Sequence, residues 1–215
     1  MNKRAPSIIP ADYSHSVNPV VFGAIEEKSE VLDVGCWNGN LGKLLINKKS
    51  CIVDGLDFEP TILKEAVLNG YRQTFLVDLN KDPQVLKRIK KKYDVIVCAD
   101  ILEHIIDPQS VLHLLKDLLK PNGEVLISLP NVAFGLNRLN LLLGRWNYTE
   151  FGTLDKTHLR FFTAKTLKEL VENAGLKIRY FRPYNQFGIL AKIYPLDQVW
   201  PEFMCYQLLI KGSLK

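Results

Sequence analysis

The chain has few of the features that mark a secreted, zinc-binding or membrane-spanning protein. Its 4 cysteines are scattered over 215 residues, without a C-x-x-C pair and without paired histidine spacing. Three of them lie in or beside apolar runs, which favours buried free thiols in a reducing compartment. No apolar run reaches the length of a transmembrane helix, and the opening stretch MNKRAPSIIPAD lacks the apolar core of a secretion signal. We therefore expect a cytoplasmic protein without a transmembrane segment.

The chain also has no large excess of positive or negative charge, because its formal net charge is only +5. Basic residues concentrate at 87–92, at the end of one predicted helix. Such a run usually forms a solvated helix face and sometimes meets an acidic partner. No aromatic residues alternate with it, as a surface for single-stranded nucleic acid would require. We therefore expect no nucleic-acid partner.

The remaining composition is that of one globular domain. Hydrophobic residues make up 47% of the chain and charged residues 24%, a balance that argues against disorder. A chain of 215 residues can bury a full core as one unit. We predict a single domain over 1–215, with a cap segment at 1–29 and a lid insertion at 132–162. In the cap segment, Asn18-Pro19 is expected to open a short helix that runs through Ile25.

The stretch VLDVGCWNGNLG at 31–42 has the pattern of a buried strand, a glycine turn and a helix. Gly35 and Gly39 allow the tight turn, and the loop N–H groups and the helix N-terminus then face one ligand. Asp33 stands at the strand end, where it can accept hydrogen bonds from the loop or from an ammonium group. Trp37 occupies the place of a third glycine, so the loop lacks the G-x-G-x-x-G dinucleotide pattern. No Gly-Lys-Ser/Thr follows, which excludes a phosphate loop.

Strands and helices alternate after this loop. That alternation indicates βαβ units and a doubly wound, mostly parallel sheet in an α/β fold. Two closing strands are predicted at 176–181 and 204–210, after a helix at 163–174 with Thr163 as its N-cap. The central elements are predicted as strands at 51–56, 73–77, 93–98 and 124–129 and helices at 60–69, 84–92 and 111–120.

Acidic residues follow two of these strands, at the edge where such sheets bind ligands. Asp57 suits the paired hydroxyls of a ribose; the alternative is an exposed loop residue that caps the next helix. Asp78 suits an adenine amino group; the alternative is a turn residue. No basic residue lies in the five loops at this edge to bind a pyrophosphate. The pattern therefore favours S-adenosylmethionine over NAD or ATP.

Five motifs in order resemble those of class I S-adenosylmethionine-dependent methyltransferases: VLDVGCWNGNLG, VDGLDFEP, FLVDLN, YDVIVCADILEHIIDP and LLKPNGEVLISLPN. The resemblance covers about 28–180. The segment DKTHLRFFTAKTLKELVENAGLKI is similar to the MetW-like and ubiquinone O-methyltransferase branch. This resemblance implies a Rossmann-like, seven-stranded, mostly parallel sheet with a C-terminal antiparallel strand and a helical lid insertion after the fifth strand.

The resemblance also implies which residues hold the cofactor. Gly35, Cys36 and Gly39 would contact the methionine part, and the backbone at Cys98 and Ala99 would lie beside the amino-acid end. Trp37 stands where the family usually has glycine, so its indole either crowds the methionine moiety or points outward. The full predicted cofactor set is Asp33, Gly35, Cys36, Trp37, Gly39, Asp57, Phe58, Asp78, Leu79, Cys98 and Ala99.

Methyl transfer to an alcohol or amine also needs a base, and a positioned histidine is the usual one. We predict His158 as that base and Arg160 as the holder of an anionic substrate group. The alternative is that both residues tie the lid to the sheet.

A second constellation comprises Asp100, Glu103 and His104, which a helix would place on one face. In ubiquinone-type relatives a similar run can bind a divalent metal, whereas such a pair more often caps a helix or packs behind the cofactor; we assign no metal. The lid leucines and the aromatic loop would cover a hydrophobic substrate, touch a membrane, or pack in the core or in a homodimer. The aromatic loop contains Phe187, Tyr194, Pro195, Trp200 and Pro201.

These patterns predict a methyltransferase that uses S-adenosylmethionine and a small-molecule acceptor, with oxygen as the expected acceptor atom. The first alternative is a non-catalytic protein of the same fold that regulates a partner. The second is a nicotinamide oxidoreductase, which the missing third glycine disfavours.

Overall fold

The computed structural model describes residues 17–185 and 200–215, and a seven-stranded sheet forms its centre. The strand order is β3-β2-β1-β4-β5-β7-β6. β7 runs antiparallel to both of its neighbours, and the other paired strands are parallel. The predicted fold class is therefore confirmed. The strands are β1 (Glu30–Val34), β2 (Ile52–Asp57), β3 (Gln73–Leu76), β4 (Tyr93–Ala99), β5 (Leu119–Pro130), β6 (Leu176–Tyr184) and β7 (Gln207–Leu214).

Helices cover both faces of the sheet. Successive residues of β1 alternate between two apolar clusters, since Leu32 and Val34 belong to one cluster and Val31 to the other. The helices are α1 (Pro19–Ala24), α2 (Asn40–Lys49), α3 (Pro60–Leu68), α4 (Pro108–Lys116), α5 (Gly135–Leu142), α6 (Ala164–Asn173) and α7 (Pro201–Met204), with 3₁₀-helices at Pro83–Arg88 and Leu102–His104.

Local capping agrees with the sequence at two helices. Asn18 caps α1, because its side-chain oxygen accepts the N–H groups of Val20 and Val21 at 3.0 and 3.2 Å. Thr163 caps α6 in a reciprocal pair with Thr166. Both predicted helix starts are therefore confirmed.

The predicted basic helix at 84–92 is wrong. The segment forms only the 3₁₀-helix Pro83–Arg88, and Lys91 and Lys92, which follow that helix, contact neighbouring elements. Lys91 lies 4.0 Å from Glu30, and the Lys92 ammonium donates to the carbonyl of Asp117. These contacts stabilise an extended path into β4.

The insertion after β5 contains α5 and then an irregular path back to α6. Short bridges join Asn131 to Phe162 and Thr149 to Asp155. Much of its apolar surface is exposed, including the Leu142 and Phe151 side chains at 82% and 87%. The predicted Phe187, Tyr194 and Pro195 positions lie outside the described residues. In the described ranges, no helix combines the length and hydrophobicity that a bilayer-spanning segment needs.

Candidate active site

Two adjoining clefts open at the carboxyl ends of the parallel strands, where α/β sheets bind ligands. The first cleft has a volume of about 560 Å³ and the second of about 460 Å³. Both linings include Gly35, Trp37, Asp100 and His104. The first cleft also contains Asp33, Cys36, Ala99, Glu103 and His158, and the second contains Asp57, Phe58, Asp78 and Leu79.

The glycine loop between β1 and α2 has no space for larger residues at two positions. Gly35 and Gly39 have φ angles of +70° and +74°. A Cβ at Gly35 would lie 2.8 Å from Ile101, and one at Gly39 would lie 2.9 Å from Ala66. The loop therefore needs glycine for both its backbone conformation and its packing. Gly39 itself shapes the turn and does not line either cleft.

Trp37 also adopts a left-handed conformation, with φ of +44°. A non-glycine residue there costs roughly 1–2 kcal/mol. Its side chain is 68% exposed and lines both clefts. The indole therefore stands at the rim between the clefts, in contact with solvent.

Asp57 fastens the glycine loop to the end of β2. One carboxylate oxygen accepts the N–H of Trp37 at 3.2 Å, and the other accepts the N–H groups of Phe58 and Glu59 at 2.8 and 3.1 Å. Asp57 is 8% exposed, so it is not a solvated loop residue. Glu59, and not Asp57, caps α3. A carboxylate has about four acceptor positions, so Asp57 keeps acceptor capacity toward the second cleft.

The other predicted cofactor residues differ in their exposure, their hydrogen bonds and their position relative to the clefts. Asp78 forms a turn, because it accepts N–H groups of Asn80 and Lys81 and pairs with the Lys81 ammonium at 3.1 Å. Leu79 is buried, whereas Phe58 is 66% exposed in the second cleft. Cys98 is fully buried in the core and does not line either cleft.

Tyr71 joins β1 to α2 on either side of the glycine loop, and it was not among the residues predicted from the sequence. Its hydroxyl donates to Asp33 at 2.6 Å and accepts the N–H of Gly42 at 3.1 Å. A Cβ at Gly42 would lie 2.2 Å from the tyrosine ring, and one at Gly55 would lie 2.9 Å from it. The ring therefore occupies space that a side chain at Gly42 or Gly55 would need.

Burial raises the pKa of Asp33 to about 6; the hydrogen bond from Tyr71 opposes this shift, and the charge of Asp57 adds to it. The folded protein then binds a proton at Asp33 between about pH 4 and pH 6 that the unfolded chain does not. Stability from this group is present below pH 4 and is lost as the pH rises to 6.

We expect Asp33→Asn to remove this loss of stability. The free energy of unfolding of the wild type, relative to Asp33→Asn, should fall by about 2 kcal/mol between pH 4 and pH 7, because the pKa of Asp33 is raised to about 6. Urea unfolding at several pH values measures it. Glu65→Gln, on the exposed face of α3, is the control for removing a carboxylate. Parallel curves for wild type and Asp33→Asn would show that Asp33 titrates normally.

His158 lies in the first cleft beside His104. The two ring centroids are 4.9 Å apart in an edge-to-face arrangement. Burial lowers the pKa of His158, and the nearby His104 lowers it further; a hydrogen bond to the Thr153 backbone opposes both. The imidazole is therefore neutral at neutral pH and can accept a proton.

Glu103 joins the lid to the cleft. Its carbonyl accepts the N–H groups of Leu159 and Arg160 at 2.8 and 2.9 Å. Its side chain is 2% exposed, and neither carboxylate oxygen has a hydrogen-bond partner among the described residues. Burial raises the pKa of Glu103 well above its usual range, and the charge of Asp100 adds to this.

Glu103, His104 and His158 also form a set of possible metal ligands. Their ligand atoms lie within 4.8 Å of one another, and a mixed nitrogen and oxygen set suits zinc or a first-row transition metal. No helix begins at Asp100, so the condition under which Asp100 would share a helical face with Glu103 and His104 is not met. Asp100 has φ of +52° and precedes the 3₁₀-helix, and its carboxylate accepts a hydrogen bond from Gln207 at 3.3 Å.

Arg160 lies outside the clefts. Its guanidinium donates from Nε and Nη2 to the carbonyl of Ile106, at 3.0 and 2.5 Å. It does not line either cleft. The structure thus gives Arg160 the alternative role, a tie between the lid and the segment after β4.

Comparisons with known proteins agree with this architecture. A family model described as "Methyltransferase domain" matches residues 8–180. The ubiquinone biosynthesis O-methyltransferase of Coxiella burnetii (strain RSA 331 / Henzerling II) is 28% identical over 189 residues, which cover 81% of this chain and 80% of that protein.

Two solved structures show the same fold. A SAM-dependent methyltransferase from Archaeoglobus fulgidus has a TM-score of 0.62 at 18% identity, over 90% of this chain and 88% of the other. Magnesium protoporphyrin IX methyltransferase from Synechocystis PCC 6803, solved with bound SAM, has a TM-score of 0.55 at 16% identity, over 94% and 80%. The family model covers most of the chain, so the resemblance found in the motifs is confirmed. The chain belongs to the methyltransferase domain family.

Proposed function

We propose that this protein binds S-adenosylmethionine across the two clefts and methylates a small molecule, with oxygen as the acceptor atom. The observation that supports it best is the buried carboxylate of Asp57 beside the glycine loop. Its remaining acceptor position, on Oδ2, suits a ribose hydroxyl. Phe58 and Leu79 offer apolar contacts for an adenine in the second cleft, and the first cleft would hold the methionine part and the acceptor.

When bound, S-adenosylmethionine supplies a methyl group that is attached to a positively charged sulfur. The rest of the cofactor is the leaving group, in which this sulfur becomes a neutral thioether. The protein aligns the acceptor with that methyl group and limits the access of water. His158 removes the proton of the acceptor hydroxyl, because its lowered pKa keeps the ring neutral and it lines the first cleft. Asp33, which lines the first cleft, orients the polar tail of the cofactor.

The choice of oxygen has separate support. The Coxiella burnetii relative is named as an O-methyltransferase, and a histidine base suits a hydroxyl acceptor. A homodimer, a cytoplasmic location and a single domain over 1–215 stay predictions.

Calorimetric titration tests the cofactor. We expect micromolar binding of S-adenosylmethionine and S-adenosylhomocysteine and no binding of NAD. Binding of NAD alone would favour the oxidoreductase, and binding of none would favour the non-catalytic alternative. Transfer of labelled methyl groups to a panel of phenols, with and without EDTA, then tests whether Glu103, His104 and His158 act through a metal.

A further inference from the structure

The insertion after β5 encloses a third cavity, the lid cavity, of about 360 Å³. That volume is at the lower end of small-molecule sites, which span roughly 300–1,000 Å³. Four buried side chains line it: Phe134, Asn137, Thr153 and Leu154. The lid cavity is therefore built on well-packed residues, although its rim is open.

Among the described residues, Tyr206 is the one that lines both the lid cavity and the first cleft. Its ring packs edge-to-face on Phe134, with centroids 5.7 Å apart. A Cβ at Gly152, whose φ is +103°, would lie 2.3 Å from the tyrosine hydroxyl oxygen. The Thr153 backbone hydrogen-bonds both to this hydroxyl and to the His158 ring. A molecule that extends from His158 past Tyr206 would therefore enter the lid cavity.

The walls of the lid cavity combine apolar side chains with asparagines and threonines, and they include one cation. Among the described residues that line it, Arg145 is the one with a charged side chain. No carboxylate in the described ranges lies within 4.0 Å of its guanidinium nitrogens, and its only hydrogen bond there is from its backbone N–H to the Asn140 carbonyl, at 2.8 Å.

Other cations of the lid have partners. Arg138 donates from Nε to the Ala133 carbonyl at 2.5 Å and lies over the Phe203 ring. Lys156 pairs with Glu150 at 2.7 Å. Arg145 is thus available to an anion, and a guanidinium binds a carboxylate through two parallel hydrogen bonds.

We propose that the lid cavity is a distal subsite for the methyl acceptor, and that it selects an apolar molecule with a terminal carboxylate, which Arg145 binds. This inference rests on the proposed function. The acceptor hydroxyl lies at His158, the body of the molecule passes Tyr206, and the carboxylate ends at Arg145. The subsite thus sets specificity at the end of the molecule remote from the transferred methyl group.

Calorimetry with two matched probes tests the subsite without a known acceptor. The probes are 4-phenylbutanoate and 4-phenylbutan-1-ol, which share an apolar body and differ in charge. The wild type should bind the acid at least about tenfold more tightly, and Arg145→Gln should lower the affinity for the acid to that for the alcohol. Arg138→Gln, which removes a lid arginine outside the cavity lining, should retain the preference. Asn147→Trp, at the exposed rim of the cavity, should weaken binding of both probes.

Equal binding of acid and alcohol by the wild type, or the same preference in Arg145→Gln, would overturn the subsite. Titration of S-adenosylhomocysteine into the same proteins separates this failure from failure of the proposed function. Arg145→Gln should bind S-adenosylhomocysteine as the wild type does. Loss of that binding in the wild type would overturn both proposals, whereas intact binding without acid preference would overturn the subsite alone.

Discussion

Asp57→Asn is expected to weaken S-adenosylmethionine binding by about ten- to 150-fold, which corresponds to roughly 1.5–3 kcal/mol. The side chain of Asp57 is 8% exposed, so a charged acceptor of a ribose hydroxyl is lost from a largely desolvated position. Asparagine can still accept the N–H groups of Phe58 and Glu59 through its single oxygen. Its amide nitrogen cannot accept the N–H of Trp37, which Asp57 binds at 3.2 Å. Calorimetric titration measures the change in Kd.

The loop contact means that a weaker Kd alone does not prove a ribose role. Adenosine and 2′-deoxyadenosine separate the two effects, because only adenosine presents both hydroxyls. The wild type should prefer adenosine, and Asp57→Asn should lose that preference. Asp78→Asn is the matched control in the same cleft, since its carboxylate is already bound to its turn and to Lys81. An unchanged Kd in Asp57→Asn would remove the ribose assignment.

The first four strands could be predicted from the sequence to within one residue at each end. The apolar runs of β1, β2 and β4 are local, and these strands are mostly buried, so their composition marks them. β5 begins five residues earlier than predicted, at Leu119. Tyr93 pairs with Leu119 and Val95 with Glu124, so the turn at 121–123 lies within the strand as a bulge. That pairing depends on β4 and has no local signal.

Residues that meet only after folding could not be predicted. Tyr71 reaches Asp33 across 38 positions, and no spacing rule marks it. Gln207 reaches the cleft because it pairs with Pro130 at the end of β5. Arg160 and His158 are close in the chain, which is why both were predicted as site residues. Their side chains point in different directions, and of the two only His158 lines a cleft. The sequence therefore predicted that the site lies at the carboxyl ends of the strands. Which side chains meet there depends on the register of the sheet, which the sequence does not show.

The grouping of His158 with Glu103 and His104 leads to the largest expected effect. His158→Gln should lower kcat by about 10²- to 10⁴-fold, the usual contribution of a positioned base. Cofactor binding should change less than kcat, because the adenosine part lies in the second cleft around Asp57, whereas His158 lines only the first cleft. Methyl transfer to a phenolic acceptor at saturating S-adenosylmethionine, together with calorimetry, measures both. His113→Gln, on the exposed surface of α4, is the histidine control.

The acidity of the acceptor distinguishes a base from a residue that only shapes the cleft. A base is needed only while the hydroxyl keeps its proton, so the loss in His158→Gln should be large for an unactivated phenol. The loss should be small for 4-nitrocatechol, because its nitro group favours the ionised form. A merely structural residue would lower both rates by the same factor, since cleft shape does not depend on acceptor acidity. Equal losses for the two acceptors would therefore show that His158 acts by packing, as its contacts with His104 and Phe161 also permit. Unequal losses would place proton removal at its imidazole.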